Sequence, residues 1–153
     1  MKPKRDWIIH YCANGVKCSV CGKREYAYLP QLCDAHTHGM EQYHHLNFQT
    51  VLNTGPLDVG YVLNCMGDRV QVGERFAPGD LVNGLFTDCQ VRLDLFTDPE
   101  NSEQYLRLII PDGQNRWPED PDCGYPYNMQ MRPMRELMKP NIVYGGCSHG
   151  LPQ

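Results

Sequence analysis

Leu46-Asn47-Phe48-Gln49-Thr50-Val51-Leu52, followed by Asn53-Thr54-Gly55-Pro56, is the stretch on which the fold turns. Its first half alternates, the period of a strand with one covered face. Its second half is a break that also opens a helix. Thr54 or Gly55 can cap, and Pro56 suits the first turn because a helix leaves that N–H unbonded anyway. Leu57, Tyr61, Val62, Cys65, Met66 and Val70 then recur at helical spacing. This predicts an amphipathic helix over 56–72, closed by Gly73.

Working outward, Trp7-Ile8-Ile9-His10-Tyr11 and Tyr26-Ala27-Tyr28-Leu29-Pro30 read as short strands around a cysteine-rich turn. Leu81 to Phe86 and Cys89 to Phe96 read as two strands joined by Thr87-Asp88, with a helical turn over 99–105. Leu106-Arg107-Leu108-Ile109-Ile110-Pro111 is the most strand-like run. Beyond it Pro118, Pro121, Pro126, Pro133 and Pro140 exclude a long regular element. The expected fold is α+β: a mixed or mostly antiparallel sheet of four to five strands with one main helix packed on it. Three parts are expected: a zinc-knuckle-like segment over 1–36, an α+β domain over 37–135 and an irregular tail over 136–153.

The entry segment carries the clearest chemistry. Cys18-Ser19-Val20-Cys21 is followed by Cys33-Asp34-Ala35-His36. Two thiols two residues apart fit one tight turn and supply two corners of a tetrahedron, and a second pair closes the other two. Gly22 directly after the second cysteine allows the positive backbone angle of such a knuckle. The expected ligands are Cys18, Cys21, Cys33 and His36, with Cys12 and His38 as substitutes and zinc as the ion. Four protein ligands leave no position for water or substrate, so such a site is structural. The competing reading is that these thiols are simply free in a reducing compartment.

Bulk composition narrows the function classes. With 153 residues the chain can bury a real core. A net charge of −4 removes the general attraction to nucleic acid. No apolar run is long enough to span a membrane, and Trp7-Ile8-Ile9 is too short for the core of a secretory leader. Eight cysteines are many, but four cluster at Cys12 to Cys33 while Cys65, Cys89, Cys123 and Cys147 lie singly. That distribution fits a metal site plus buried thiols in the cytoplasm better than a disulfide framework.

The central segment resembles the domain of unknown function 4262 family. The words that carry the resemblance are Thr37-His38-Gly39-Met40, His45-Leu46-Asn47-Phe48-Gln49, Val62-Leu63-Asn64 and Gly73-Glu74-Arg75-Phe76-Ala77-Pro78-Gly79-Asp80. Val82 to Phe86, Val91-Arg92-Leu93 and Ile109 to Pro118 extend it, so residues 37–132 are covered. His44 stands where the family pattern has a glycine. The resemblance implies a compact α+β domain and brings no activity with it.

A second constellation is the histidine cluster His36, His38, His44 and His45, with Asp34 and Glu41 nearby. A His-x-His pair puts two imidazoles on one face of a strand. Three protein ligands with an open position would make a catalytic ion rather than a structural one. The plainer alternative makes His38 and His45 hydrogen-bonded residues that hold a loop. No serine-nucleophile, phosphate-loop or dinucleotide motif is present. Two functions follow as expectations. The first is a non-catalytic, zinc-stabilised binding or regulatory module with a protein partner, not nucleic acid or membrane. The second is a metal-dependent hydrolase using His38, His44 and His45.

Overall fold

The computed structural model describes residues 3–14, 27–99 and 101–139. Among the described residues, six strands and one long helix are the main elements: β1 (Ile8–Cys12), β2 (Leu32–His38), β3 (Asn47–Leu52), α1 (Pro56–Gln71), β4 (Leu81–Val82), β5 (Val91–Thr97) and β6 (Gln104–Ile109). The sheet order is β1-β2-β3-β6-β5-β4. Among the described residues only β3 and β6 run parallel; every other neighbouring pair of these strands is antiparallel. The parallel step is the one that needs a long crossover, and the chain places α1 there. The class is α+β, as expected, with a mixed sheet. No helix among the described residues is long and apolar enough to cross a membrane.

The strand count corrects the expected four to five. The added strand is β2, which runs through Asp34, His36 and Thr37, where polar residues disguise the alternation. Six of its seven residues are nevertheless buried. Strand length also shifts at two places. β4 keeps only Leu81–Val82 of the longer run expected there, and around Tyr28 there is a single bridge to Met138 in place of a strand. The helical turn expected over 99–105 is a tight β5–β6 connection. In it Ser102 donates to the Asp98 carbonyl at 2.8 Å and Asp98 to that of Glu103 at 2.7 Å. The proposed knuckle residues 15–26, Cys18 and Cys21 among them, lie outside the described residues. β1 and β2 belong to the same sheet as the rest, so the expected 36/37 boundary falls inside β2.

The helix begins with Pro56 in its first turn after Gly55. It ends as a Schellman motif. Gly73, at φ +110°, donates to Val70 at 3.0 Å, and Glu74 donates back to Arg69 at 2.9 Å. Its buried face is Val59, Val62, Leu63, Met66, Gly67 and Val70. This is rotated from the stripe expected from sequence: Leu57 is 87% and Tyr61 56% exposed. Trp7 sets the rotation. Its indole lies over Gly67, where a Cβ would come within 2.5 Å of the ring, and its Nε1 donates to Asn64 Oδ1 at 2.9 Å.

The sheet has two different covers. On one face α1 packs against Cys33, Ala35, Phe48, Leu93, Leu106 and Leu108. On the other, Leu32, Val51, Leu52 and Leu137 form a second cluster with Tyr127, Met129 and Met134 from the C-terminal segment. That segment is irregular, as its prolines dictate. It is held by Gln130, whose side chain donates to the Ile110 carbonyl at 2.7 Å and accepts from the Ile110 N–H at 2.8 Å.

Gly67→Ala should therefore cost about 2 kcal/mol in urea unfolding, because overpacking against a fixed indole outweighs the gain in helix propensity. In a Trp7→Leu background the same substitution should cost clearly less. Equal costs in the two backgrounds would mean that the indole does not set the helix rotation.

Candidate metal centre

Strand periodicity and register together build the site. Alternation places His10 and Cys12 on one face of β1, and Asp34, His36 and His38 on one face of β2. Antiparallel pairing sets His10 opposite His36 and Cys12 opposite Asp34. The register then carries the row further: His36 faces Gln49, Gln49 faces Arg107, and Arg107 faces Asp94. One line of polar side chains thus crosses five strands on the face opposite α1. The β2–β3 register shifts between Leu32 and Ala35, beside Asp34. Such irregularities re-aim side chains next to functional sites.

His10, His36 and His38 each offer a ring nitrogen, and these three atoms lie within 4.8 Å of one another. The His36 and His38 Nε2 atoms are 3.0 Å apart. Nitrogens held about 2.05 Å from a tetrahedral ion stand about 3.3 Å apart, so this cluster can hold a metal ion after small side-chain movements. His10 and His36 are buried, while His38 is partly open to solvent. The ion would be reached from the His38 side.

Behind His36 stands a carboxylate. Asp34 Oδ1 is 3.0 Å from His36 Nδ1 and also accepts from Gln49 Nε2 at 3.3 Å. A carboxylate that accepts from Nδ1–H fixes the tautomer and leaves the Nε2 lone pair for a metal, the usual hydrogen bond behind a metal-binding histidine. Burial opposes charge on both groups, but their mutual attraction wins. It holds the His36 imidazolium above its ordinary range and the Asp34 carboxyl below its own. Burial, with His36 and His10 close by, pushes His38 down, towards the neutral form a metal requires.

The hydrogen-bond chain continues away from the histidines. Gln49 Oε1 accepts from Arg107 Nε at 2.8 Å, and Arg107 Nη1 donates to the carbonyls of Gln130 and Arg132 at 2.8 and 2.6 Å. The guanidinium lies 3.6 Å above the Phe96 ring. Burial pushes it down to about 9, still high enough for it to be cationic at neutral pH.

The residues expected from sequence divide sharply. His36 and His38 enter the cluster, and Cys12 lies beside it, its Sγ 3.3 Å from His10 Nε2 but outside the three-atom group. Cys33 projects to the other face. It is fully buried in the α1-side core, with its thiol pushed up by burial and its Sγ 3.9 Å from the Thr50 carbonyl. Three residues apart on one strand, Cys33 and His36 do not meet. His44 is exposed at φ +57°, and His45 spends both ring nitrogens on the backbone, Nδ1 on the Leu46 carbonyl and Nε2 on the Phe76 N–H. Glu41 is exposed and accepts from Asn47 Nδ2 at 3.0 Å and the Gly39 N–H at 3.2 Å. His10 is the member of the cluster that sequence reasoning missed. Its signal was the period-two spacing His10-x-Cys12, which matches Asp34-x-His36-x-His38.

No protein-family model, no curated protein and no solved structure matches the chain, so the chemistry is argued from this site itself.

Asp34→Asn should destabilise the metal-free protein by roughly 3 kcal/mol, the scale for breaking a buried ion pair. A raised histidine value adds stability that is fully present below its unfolded value of 6.5 and lost as pH rises through the raised one. The penalty of Asp34→Asn should thus be larger at about pH 6 than at about pH 8.5 in urea titrations. A penalty independent of pH would show that the carboxylate does not hold a proton on His36.

Proposed function

We propose that the chain binds one zinc ion through His10, His36 and His38 and uses it to promote a hydrolytic reaction. The observation that carries this is the trio of imidazoles converging on one point, the central one backed by a buried carboxylate. Imidazole nitrogens suit the borderline divalent ions, and three histidines with one position left over is a ligand set of catalytic zinc. Three ligands leave one position open, and an ion held that way supplies Lewis acidity towards water or a polarised carbonyl.

The chain's own residues have separable tasks. His38, partly solvent-exposed, borders the approach. Asp34 orients His36 and raises its basicity, which makes it a positioning residue. Gln49 fixes Asp34 from the far side and is itself fixed by Arg107. The expected closed set of Cys18, Cys21, Cys33 and His36 would require Cys33 and His36 to share an ion, and their projection from opposite faces of β2 argues against that set and for the histidine centre.

Protein purified without added metal should take up about one zinc per chain, with X-ray absorption dominated by nitrogen and oxygen scatterers. His36→Ala and His38→Ala should abolish uptake, and Asp34→Asn should weaken it by about 10–100-fold. Hydrolysis of an activated ester should disappear with a chelator and return with zinc. A sulfur-dominated spectrum would overturn the proposal in favour of a cysteine knuckle.

A further inference from the structure

A cavity of about 60 Å³ adjoins the histidine centre on the same face of the sheet. His36 and Asp34 form one wall, and Tyr105, its ring 5.3 Å from that of His36, stands beside them. Phe96 to Pro99 at the end of β5 and Pro133 to Arg135 border its mouth. At roughly 15 Å³ per water position, the space accommodates about four waters or one small functional group with a short stem.

Arg107 is the unusual member of this lining. It is only 2% exposed, and among the described residues no carboxylate pairs with it. Three of its five N–H groups are spent, one on Gln49 and two on backbone carbonyls, while Phe96 covers its face. All of these partners are neutral. Nη2 has no hydrogen-bond partner among the described residues, yet it is not among the polar atoms sealed from solvent. Arg107 is one of the residues that line the cavity. A buried cation left with two free donors is costly unless an anion completes it.

The other charges facing this space are Asp34, Asp98 and Arg135. Asp34 is committed to His36. Asp94 stands opposite Arg107 but pairs with Arg92, and Glu103 accepts from Tyr105. With a divalent ion on the histidines, the lining residues themselves carry a net positive charge, which favours an anionic occupant. The free Nη2 edge suits one oxygen of a planar carboxylate, and Phe96, Pro99, Pro133 and Met134 offer an apolar bed for its stem.

We propose that this cavity is the substrate subsite of the histidine centre and takes a small molecule bearing a carboxylate. Arg107 Nη2 holds the carboxylate, and the reacting group is turned towards His36 and His38. The inference rests on the assignment of those histidines to zinc, so metal content is measured on every sample.

The test is the melting temperature of the zinc-loaded full chain titrated with sodium acetate at constant ionic strength, since a ligand that binds only the folded state raises it. Acetate should stabilise the wild type, whereas chloride and inorganic phosphate should not. Arg107→Lys keeps the charge but loses the planar fork and should weaken acetate binding by about tenfold or more. Because Arg107 also anchors two carbonyls, a second variant, Thr97→Phe, obstructs the mouth from an exposed position and should have the same effect on acetate while retaining zinc. If zinc binds and acetate has no effect, or stabilises Thr97→Phe as much as wild type, the subsite is overturned and the zinc assignment stands. Stabilisation by phosphate but not acetate would overturn the carboxylate assignment. Failure to bind zinc at the histidines would remove the premise itself.

Discussion

The contact on which the rest of this site depends is the buried pair between Asp34 and His36. Neither group is tolerable alone where it sits, since an unpaired buried charge is among the costliest defects a core can contain. The pair is itself only half satisfied by its own hydrogen bond. Gln49 supplies a second donor to Asp34, and Arg107 in turn fixes Gln49. A polar residue buried in one strand thus demands a partner in the next, and the demand passes across the sheet until it reaches the backbone carbonyls of Gln130 and Arg132. The C-terminal segment is thereby tied to the polar row as well as to the apolar cluster around Leu137.

This arrangement explains why the sheet has two unlike covers. The face packed on α1 is a conventional core, with Trp7 seated against Gly67 and aliphatic side chains filling the layer. The opposite face is a mixture of an apolar end under residues 127–137 and a polar row that stays buried because its members bond to one another. A regular helix could not cap that row as well, because its own backbone groups are satisfied internally. An irregular, proline-rich segment has free carbonyls to offer, and Arg107 uses two of them. The space left between this segment and the β5–β6 end is the cavity beside His36.

Legibility followed the hydrophobic pattern. Helix α1 and the strand before it were readable because Pro56, Gly73 and the apolar spacing agree with one another. β5 and β6 were readable for the same reason. β2 was obscured because its buried polar residues break the apolar alternation. The stripe predicted for α1 was rotated because Leu57 and Tyr61 are apolar yet unneeded, whereas Gly67 faces inward to make room for an indole from the other end of the sequence. At the site, the Asp34-x-His36-x-His38 spacing already declares three side chains on one face of a strand. Nothing local says that Cys33 is turned into the opposite core, or that His44 and His45 serve a turn.

By itself, then, the sequence determined the α+β class, the principal helix and the presence of metal-competent histidines, because periodicity and capping are local properties of the chain. The tertiary structure alone decided which histidines meet. His10 joins His36 only through the β1–β2 register, and Arg107 reaches that row only because β3 and β6 pair in parallel after a helical crossover. Ligand geometry depends on distances between strands, and strand register is fixed by packing over the whole sheet rather than by any residue's near neighbours.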